Sequence, residues 1–246
     1  MHSNIKHIGY GAFTSCKSIK NIEIPESVQF IWSAAFEDSN VKRVVMRGRI
    51  EKLPARMFNG CAKLREVLLS STVTKIGCEA FGMCVGLRTV RILRNNREME
   101  VSKTGVILED NITSIGDGAF MSCGYITKLE IPDSIKYIGK YAFWVCKGLE
   151  SIKIPKELRK IEEGAFVNTS IKQLDIPDNI EKIKETAFGD CSTLESVIIS
   201  NEHINIHRKA FSGCQNLTCI TLRNGEYNIN IEYIEYGEYE KSKPFS

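Results

Sequence analysis

Leu149-Glu-Ser-Ile-Lys-Ile-Pro-Lys-Glu-Leu-Arg-Lys-Ile-Glu-Glu-Gly-Ala-Phe166 carries apolar side chains at Leu149, Ile152, Ile154, Leu158, Ile161 and Phe166, an order that neither one helix nor one strand explains. Ile152 and Ile154 lie two apart, which is strand alternation, and Pro155 ends that strand because proline has no N–H to give to a ladder. The same order recurs along the chain. Taking as reference the Phe of an apolar-Phe pair, nearly always Ala-Phe, it stands at 13, 36, 58, 81, 120, 143, 166, 188 and 211, with successive gaps of 23, 22, 23, 39, 23, 23, 22 and 23. Five places earlier every repeat has Ile or Leu, from Ile8 to Ile206, and eight places earlier only His203 departs from an apolar column.

A fixed period of this length is the signature of a repeat solenoid. One 23-residue coil cannot bury both its strand and its bend, so coils must stack and lay their strands side by side in a parallel sheet. Nine or ten coils at ~4.8 Å per rung predict a solenoid roughly 45 Å long. On the other side, the spacing of Ala142, Phe143 and Cys146 predicts a short helical turn packed inward. Residues 1–223 are read as about nine repeats of 22–23 residues, and 224–246 as a Tyr- and Glu-rich cap or tail that adds strand structure to the last coil. Between Ile92 and Ile112 sixteen extra residues intervene (39 against 23), and the alternation around Lys103-Thr104-Gly105 predicts a hairpin-like insert over 93–110. The coils after Phe36 and Phe166 are one residue shorter and lack the Cys, as expected if that residue plugs the bend.

The stretch Leu149–Phe166 resembles the BspA-like, or Treponema-type, leucine-rich repeat. The Ile-Pro after the strand and the Ala-Phe-x-x-Cys after the bend carry the likeness, which extends over residues 4 to 223. The segment from Met99 to Leu108 is similar to a hairpin insert of such proteins. The resemblance implies a leucine-rich-repeat solenoid with a parallel β-sheet on one side and short helical turns or strands on the other. It also implies a non-enzymatic protein, at the cell surface or secreted, whose partner is a host or extracellular-matrix protein. No fixed functional residue of that family transfers to a position here.

The composition agrees with a core-forming chain: 43% of residues are hydrophobic and 26% charged. No apolar run approaches the roughly 20 residues that span a bilayer, so no membrane insertion is expected. Met1-His2-Ser3-Asn4-Ile5-Lys6 shows neither a basic n-region nor an apolar h-region, so the chain is expected either to stay inside a cell or to be an excised piece with coils upstream. The net charge of +3 is unevenly spread: between Val41 and Arg97 thirteen Lys or Arg face three Glu, a local +10.

Seven of the nine cysteines (Cys16, Cys61, Cys84, Cys123, Cys146, Cys191 and Cys214) fall in one repeat column, which reads as a stack of buried, reduced thiols and fits a reducing compartment. Cys78 and Cys219 are off the column, and Cys219 is expected to face outward as the reactive thiol. His203 and His207 are four apart, but on a strand-like stretch that spacing suits no shared metal. No nucleophile–base set, phosphate loop or cofactor fingerprint stands out, so neither catalysis nor a cofactor is expected. Asn111, Asn168 and Asn216 head glycosylation triplets at about the frequency chance would supply.

Strand alternation points to the surface that remains. Residues flanking the inward positions project outward, and Arg43, Val45, Glu66, Leu68, Thr89, Arg91, Lys128, Glu130 and Lys153 form the candidate partner-binding face, with Val45, Leu68 and Ile198 as exposed apolar positions. The leading expectation is a monomeric protein-binding or adhesion solenoid. The alternative is binding of a polyanion, glycosaminoglycan or nucleic acid, through the basic 41–97 stretch.

Overall fold

The structure, a computed structural model, describes residues 4–93, 105–222 and 228–230. It is a solenoid with two ribbons of short strands and no helix among the described residues. The front ribbon contains Asn21–Ile24, Arg43–Met46, Glu66–Leu69, Thr89–Ile92, Gly105–Ile107 and Leu129–Glu130, then a second group of Gln173–Ile176, Ser196–Ile199 and Cys219–Leu222. The back ribbon is built of two-residue strands such as Lys52–Leu53, Lys75–Ile76, Ser114–Ile115 and Tyr137–Ile138. All these pairings are parallel. Residues 151–155 form no strand, and there the front ladder is interrupted. In full rungs the residue after the strand donates to the preceding coil, as Arg47 does to Ile24 and Ser200 to Ile176. Pro132, Pro155 and Pro177 remove that donor in three successive coils.

The core runs unbroken through this gap. The nine phenylalanines stack face to face with ring centroids 4.9–5.7 Å apart, and Phe36 through Phe188 are fully buried. The spacing slightly exceeds one rung, so the rings are offset, which is the favourable arrangement for aromatic pairs.

The bend around each Phe is not a helical turn. Tyr141 and Val145, two places either side of Phe143, both have left-handed backbones (φ 55° and 56°), and the same two columns recur at Gly164 and Asn168 around Phe166. Alternation of hand sends every second N–H to the neighbouring coil. Tyr141, Phe143 and Val145 donate to the carbonyls of Glu163, Ala165 and Val167, while Ala142, Trp144 and Cys146 donate three residues back. A helix would spend all of these donors internally; here half of them join the coils.

Two further columns join coils through side chains. Ser27, Thr72, Asn111, Ser134 and Asn179, nine places before the Phe, donate to backbone carbonyls of the preceding coil, for example Ser134 Oγ to Ile112 at 2.7 Å. The amide of Asn111 is therefore engaged in the fold. On the other side, the column thiols donate to the preceding phenylalanine carbonyl: Cys84 to Phe58 at 3.0 Å, Cys123 to Phe81 at 3.1 Å and Cys146 to Phe120 at 3.1 Å. Where the Cys is missing, Ser39 and Thr169 fill the same buried place and contact the thiols of Cys61 and Cys191, so a hydroxyl substitutes for the plug.

Burial raises the thiols of Cys84 and Cys123 well above the ordinary cysteine range and pushes Cys146 up to about 12. Cys78 is exposed on the back; the side chain of Cys219 lies outside the described residues. Alkylation of the native protein should therefore modify Cys78 while Cys84, Cys123 and Cys146 react only in denaturant, as peptide mass spectrometry would register. Labelling of Cys123 at the rate of Cys78 would contradict the buried stack.

Only the last part of the insert read as a hairpin falls within the described residues. Residues 94–104, where its first arm is expected, lie outside the described residues. Gly105–Ile107 pairs in parallel with Thr89–Ile92 on one edge and with Leu129–Glu130 on the other. This segment is an extra front rung, while on the back Lys75–Ile76 and Ser114–Ile115 are direct neighbours. At the far end Asn228–Asn230 adds antiparallel to Cys219–Leu222, covering the edge that an open sheet would offer to another chain.

Candidate functional site

The register sets two outward rows on the front sheet. In one, Asn21, Arg43, Glu66, Thr89 and Gly105 are successive partners; in the other, Glu23, Val45 and Leu68 are followed by Arg91 and Ile107. Arg43, Glu66 and Arg91 come together: Arg43 Nε lies 2.7 Å from one carboxylate oxygen of Glu66 and Arg91 Nη2 3.2 Å from the other. Two guanidiniums thus share one carboxylate. Each pair is half-exposed and worth about 0–1 kcal/mol, so its effect is to hold the side chains in place more than to hold the fold together.

Val45, Leu68 and Thr89 are not on the surface. Val45 is 2% exposed and Leu68 6%, because both pack with Leu93 in a small apolar cluster separate from the main core. The N–H of Leu93 bonds to the Leu69 carbonyl, extending the rung by one residue, and strand alternation then turns its side chain outward beside Arg91. Thr89, 7% exposed, is enclosed between rungs. Leu93 was readable in principle: it stands directly after Ile92, where other coils carry proline or a polar residue. Ile198 remains exposed.

The remaining candidates are dispersed. Lys128 pairs with Glu130 at 2.5 Å, and Lys153 lies against Asp133 at 3.2 Å, across the interrupted part of the ladder. Glu23 on the outward row holds Arg47 at 2.6 Å, and Asp133, beyond the strand residues, is a partner that strand alternation alone does not single out. Among the described residues no group of three His, Cys, Asp or Glu is placed to hold a metal, and no helix is long and apolar enough to cross a membrane. What this arrangement can do is present an array of charged donors and acceptors on paired strands.

A family model for the BspA type leucine rich repeat region matches residues 1–102 and 109–240, in six copies. No curated protein matches the sequence. Among solved structures, a leucine-rich repeat protein of Bacteroides ovatus is 28% identical, with a TM-score of 0.65 over 89% of this chain and 59% of that one. This chain thus spans less than two thirds of that one. Leucine-rich repeat proteins of Eubacterium ventriosum (17% identity, TM-score 0.57, 90% of this chain and 71% of that one) and Treponema pallidum (20%, 0.56, 81% and 78%) share the fold.

Proposed function

The chain belongs to the BspA-type leucine-rich-repeat family, and from that premise we propose that it is a non-catalytic binding module which takes a protein partner, as an adhesion solenoid does, on the front sheet around Arg43, Glu66 and Arg91. The observation that supports the reading is the preorganised Arg43–Glu66–Arg91 group, two guanidiniums sharing one carboxylate at fixed register on the front sheet. Arginine is, with Trp and Tyr, one of the residue types enriched among the residues that anchor interfaces. The contact residues are Arg43, Glu66 and Arg91 with Glu23 and Ile198 along the same face; Lys128, Glu130 and Lys153 extend it. Val45 and Leu68 support the surface from beneath.

The test is binding to immobilised extracellular-matrix and host-cell proteins, with the natural chain and with Arg43→Glu and Arg91→Glu. Each reversal places a carboxylate against Glu66, and a loss of about tenfold or more in affinity is expected, equivalent to ~1.4 kcal/mol. Unchanged binding would remove this face from consideration.

The second reading, polyanion binding by the 41–97 stretch, is narrowed by the ion pairs. Arg43, Arg47, Arg56 and Arg91 all sit on carboxylates. The exposed cations Lys20, Lys42, Arg65 and Arg88 lie elsewhere on the coils.

A further inference from the structure

Resting on that second reading, we infer that a row of four cations at the entrance of the front strands, Lys20, Lys42, Arg65 and Arg88, is a binding site for a linear sulfated or carboxylated polysaccharide. The four occupy one position of successive coils and are joined rung to rung through the backbone: Lys42 N–H donates to the Lys20 carbonyl at 2.6 Å, Arg65 to Lys42 at 2.8 Å and Arg88 to Arg65 at 3.0 Å. All four are exposed. At ~4.8 Å per rung the row extends over about 14 Å along the solenoid axis.

Like charges directly opposite one another on neighbouring strands are destabilising. The same column further along the solenoid avoids this by alternating sign through Glu150, Lys172 and Glu195, with Lys172 and Glu150 paired at 3.3 Å. In the first half three successive cation–cation steps stand without relief: among the described residues none of the four forms an ion pair with a carboxylate. Arg65 reaches only the backbone carbonyls of Ala62 and Leu64, and Arg88 lies 5.2 Å from the centre of the Tyr125 ring. Lys17 and Lys63, both exposed, come from the bends leading into the first and third of these strands and add to the local positive potential. A row repeating once per rung complements a linear chain of fixed anions, which would lower the repulsion at each rung.

The neighbourhood favours a glycan over a nucleic acid. Single-stranded nucleic acid is held by aromatic platforms interleaved with cations, whereas Lys20, Lys42 and Arg65 are bordered by Ser18, Asn21, Asn40 and Ala62, and Tyr125 is occupied by Arg88.

The experiment uses the whole chain and heparin as probe, with Lys42→Glu/Arg65→Glu as the variant and Lys160→Glu/Lys182→Glu, an equal charge change on the back ribbon, as the control. Lys42→Gln/Arg65→Gln provides a milder variant, and circular dichroism verifies that each folds. Salt-sensitive binding that falls at least tenfold in the Lys42/Arg65 variants and not in the control supports the site. Equal loss in the control would assign binding to overall charge and overturn the row, leaving polyanion binding itself in place. No retention of the natural protein on heparin at low salt would overturn both the row and the reading it rests on. Displacement by an unstructured DNA oligonucleotide at lower charge concentration than heparin would overturn the assignment to glycan.

Discussion

Replacing Phe143 by alanine should lower the stability of the protein by about 3–5 kcal/mol, the range for deleting a fully buried aromatic ring from a core. Phe143 is fully buried, and its ring lies 5.4 Å from both Phe120 and Phe166 with interplanar angles of 4°. Truncation removes two ring–ring contacts and opens a void that coils on both sides, tied by backbone bonds from Tyr141, Phe143 and Val145, cannot close by moving together. Phe13 is the internal comparison. It is half-buried and has one stacking partner, Phe36 at 4.9 Å, so Phe13→Ala should cost markedly less. Urea titration followed by circular dichroism would compare the two. In a one-dimensional array the damage should begin next to the substitution, which hydrogen exchange would register as lost protection around residues 120 and 166 first. Equal losses for Phe13→Ala and Phe143→Ala would contradict a continuous ring stack.

The second large effect is expected at Gly116, through close approach rather than through a void. A Cβ there would sit 2.6 Å from the Cys78 nitrogen and 2.7 Å from the Gly77 carbonyl carbon, both backbone atoms of the preceding coil. Gly77 and Gly139 meet their own preceding coils in the same way, so three successive back rungs stack without side chains between them. Gly116→Ala should therefore destabilise by about 1–3 kcal/mol, the usual cost of forcing extra volume into a packed contact. Gly9 holds the same repeat position, yet nothing lies within 4 Å of its Cβ direction. Gly9→Ala should be neutral or stabilise by about 0.4–1 kcal/mol through the unfolded chain. Thermal unfolding of the two variants side by side decides the matter, since close approach predicts opposite signs for one substitution at one repeat position.

Much of the core was legible in the sequence because each apolar column is a local spacing repeated seven to nine times. The Phe column, the Ile five places before it and the Cys three places after it are all buried through the middle of the stack. The bend was misread because three-and-four spacing of Ala142, Phe143 and Cys146 is common to a helical turn and to a turn with alternating hand; only the backbone of Tyr141 and Val145 tells them apart. At the insert, alternation around Gly105 reveals a strand without revealing its neighbours, Thr89–Ile92 and Leu129–Glu130. The candidate face was half legible. Alternation correctly sends Arg43, Glu66 and Arg91 outward, but it cannot say that Leu93 follows them and covers Val45 and Leu68.

By itself, then, the sequence determined that apolar residues at a period of 22 or 23 would be buried between stacked coils, because a column needs only its own spacing to select the inside. The tertiary structure alone decided which surface charges meet. Arg43, Glu66 and Arg91 are more than twenty residues apart from one to the next, and Lys20, Lys42, Arg65 and Arg88 likewise; each set becomes a group only when the inter-coil ladder fixes the register. Electrostatic contact falls off within a few ångströms of water, so the same residues one rung out of register would form neither cluster.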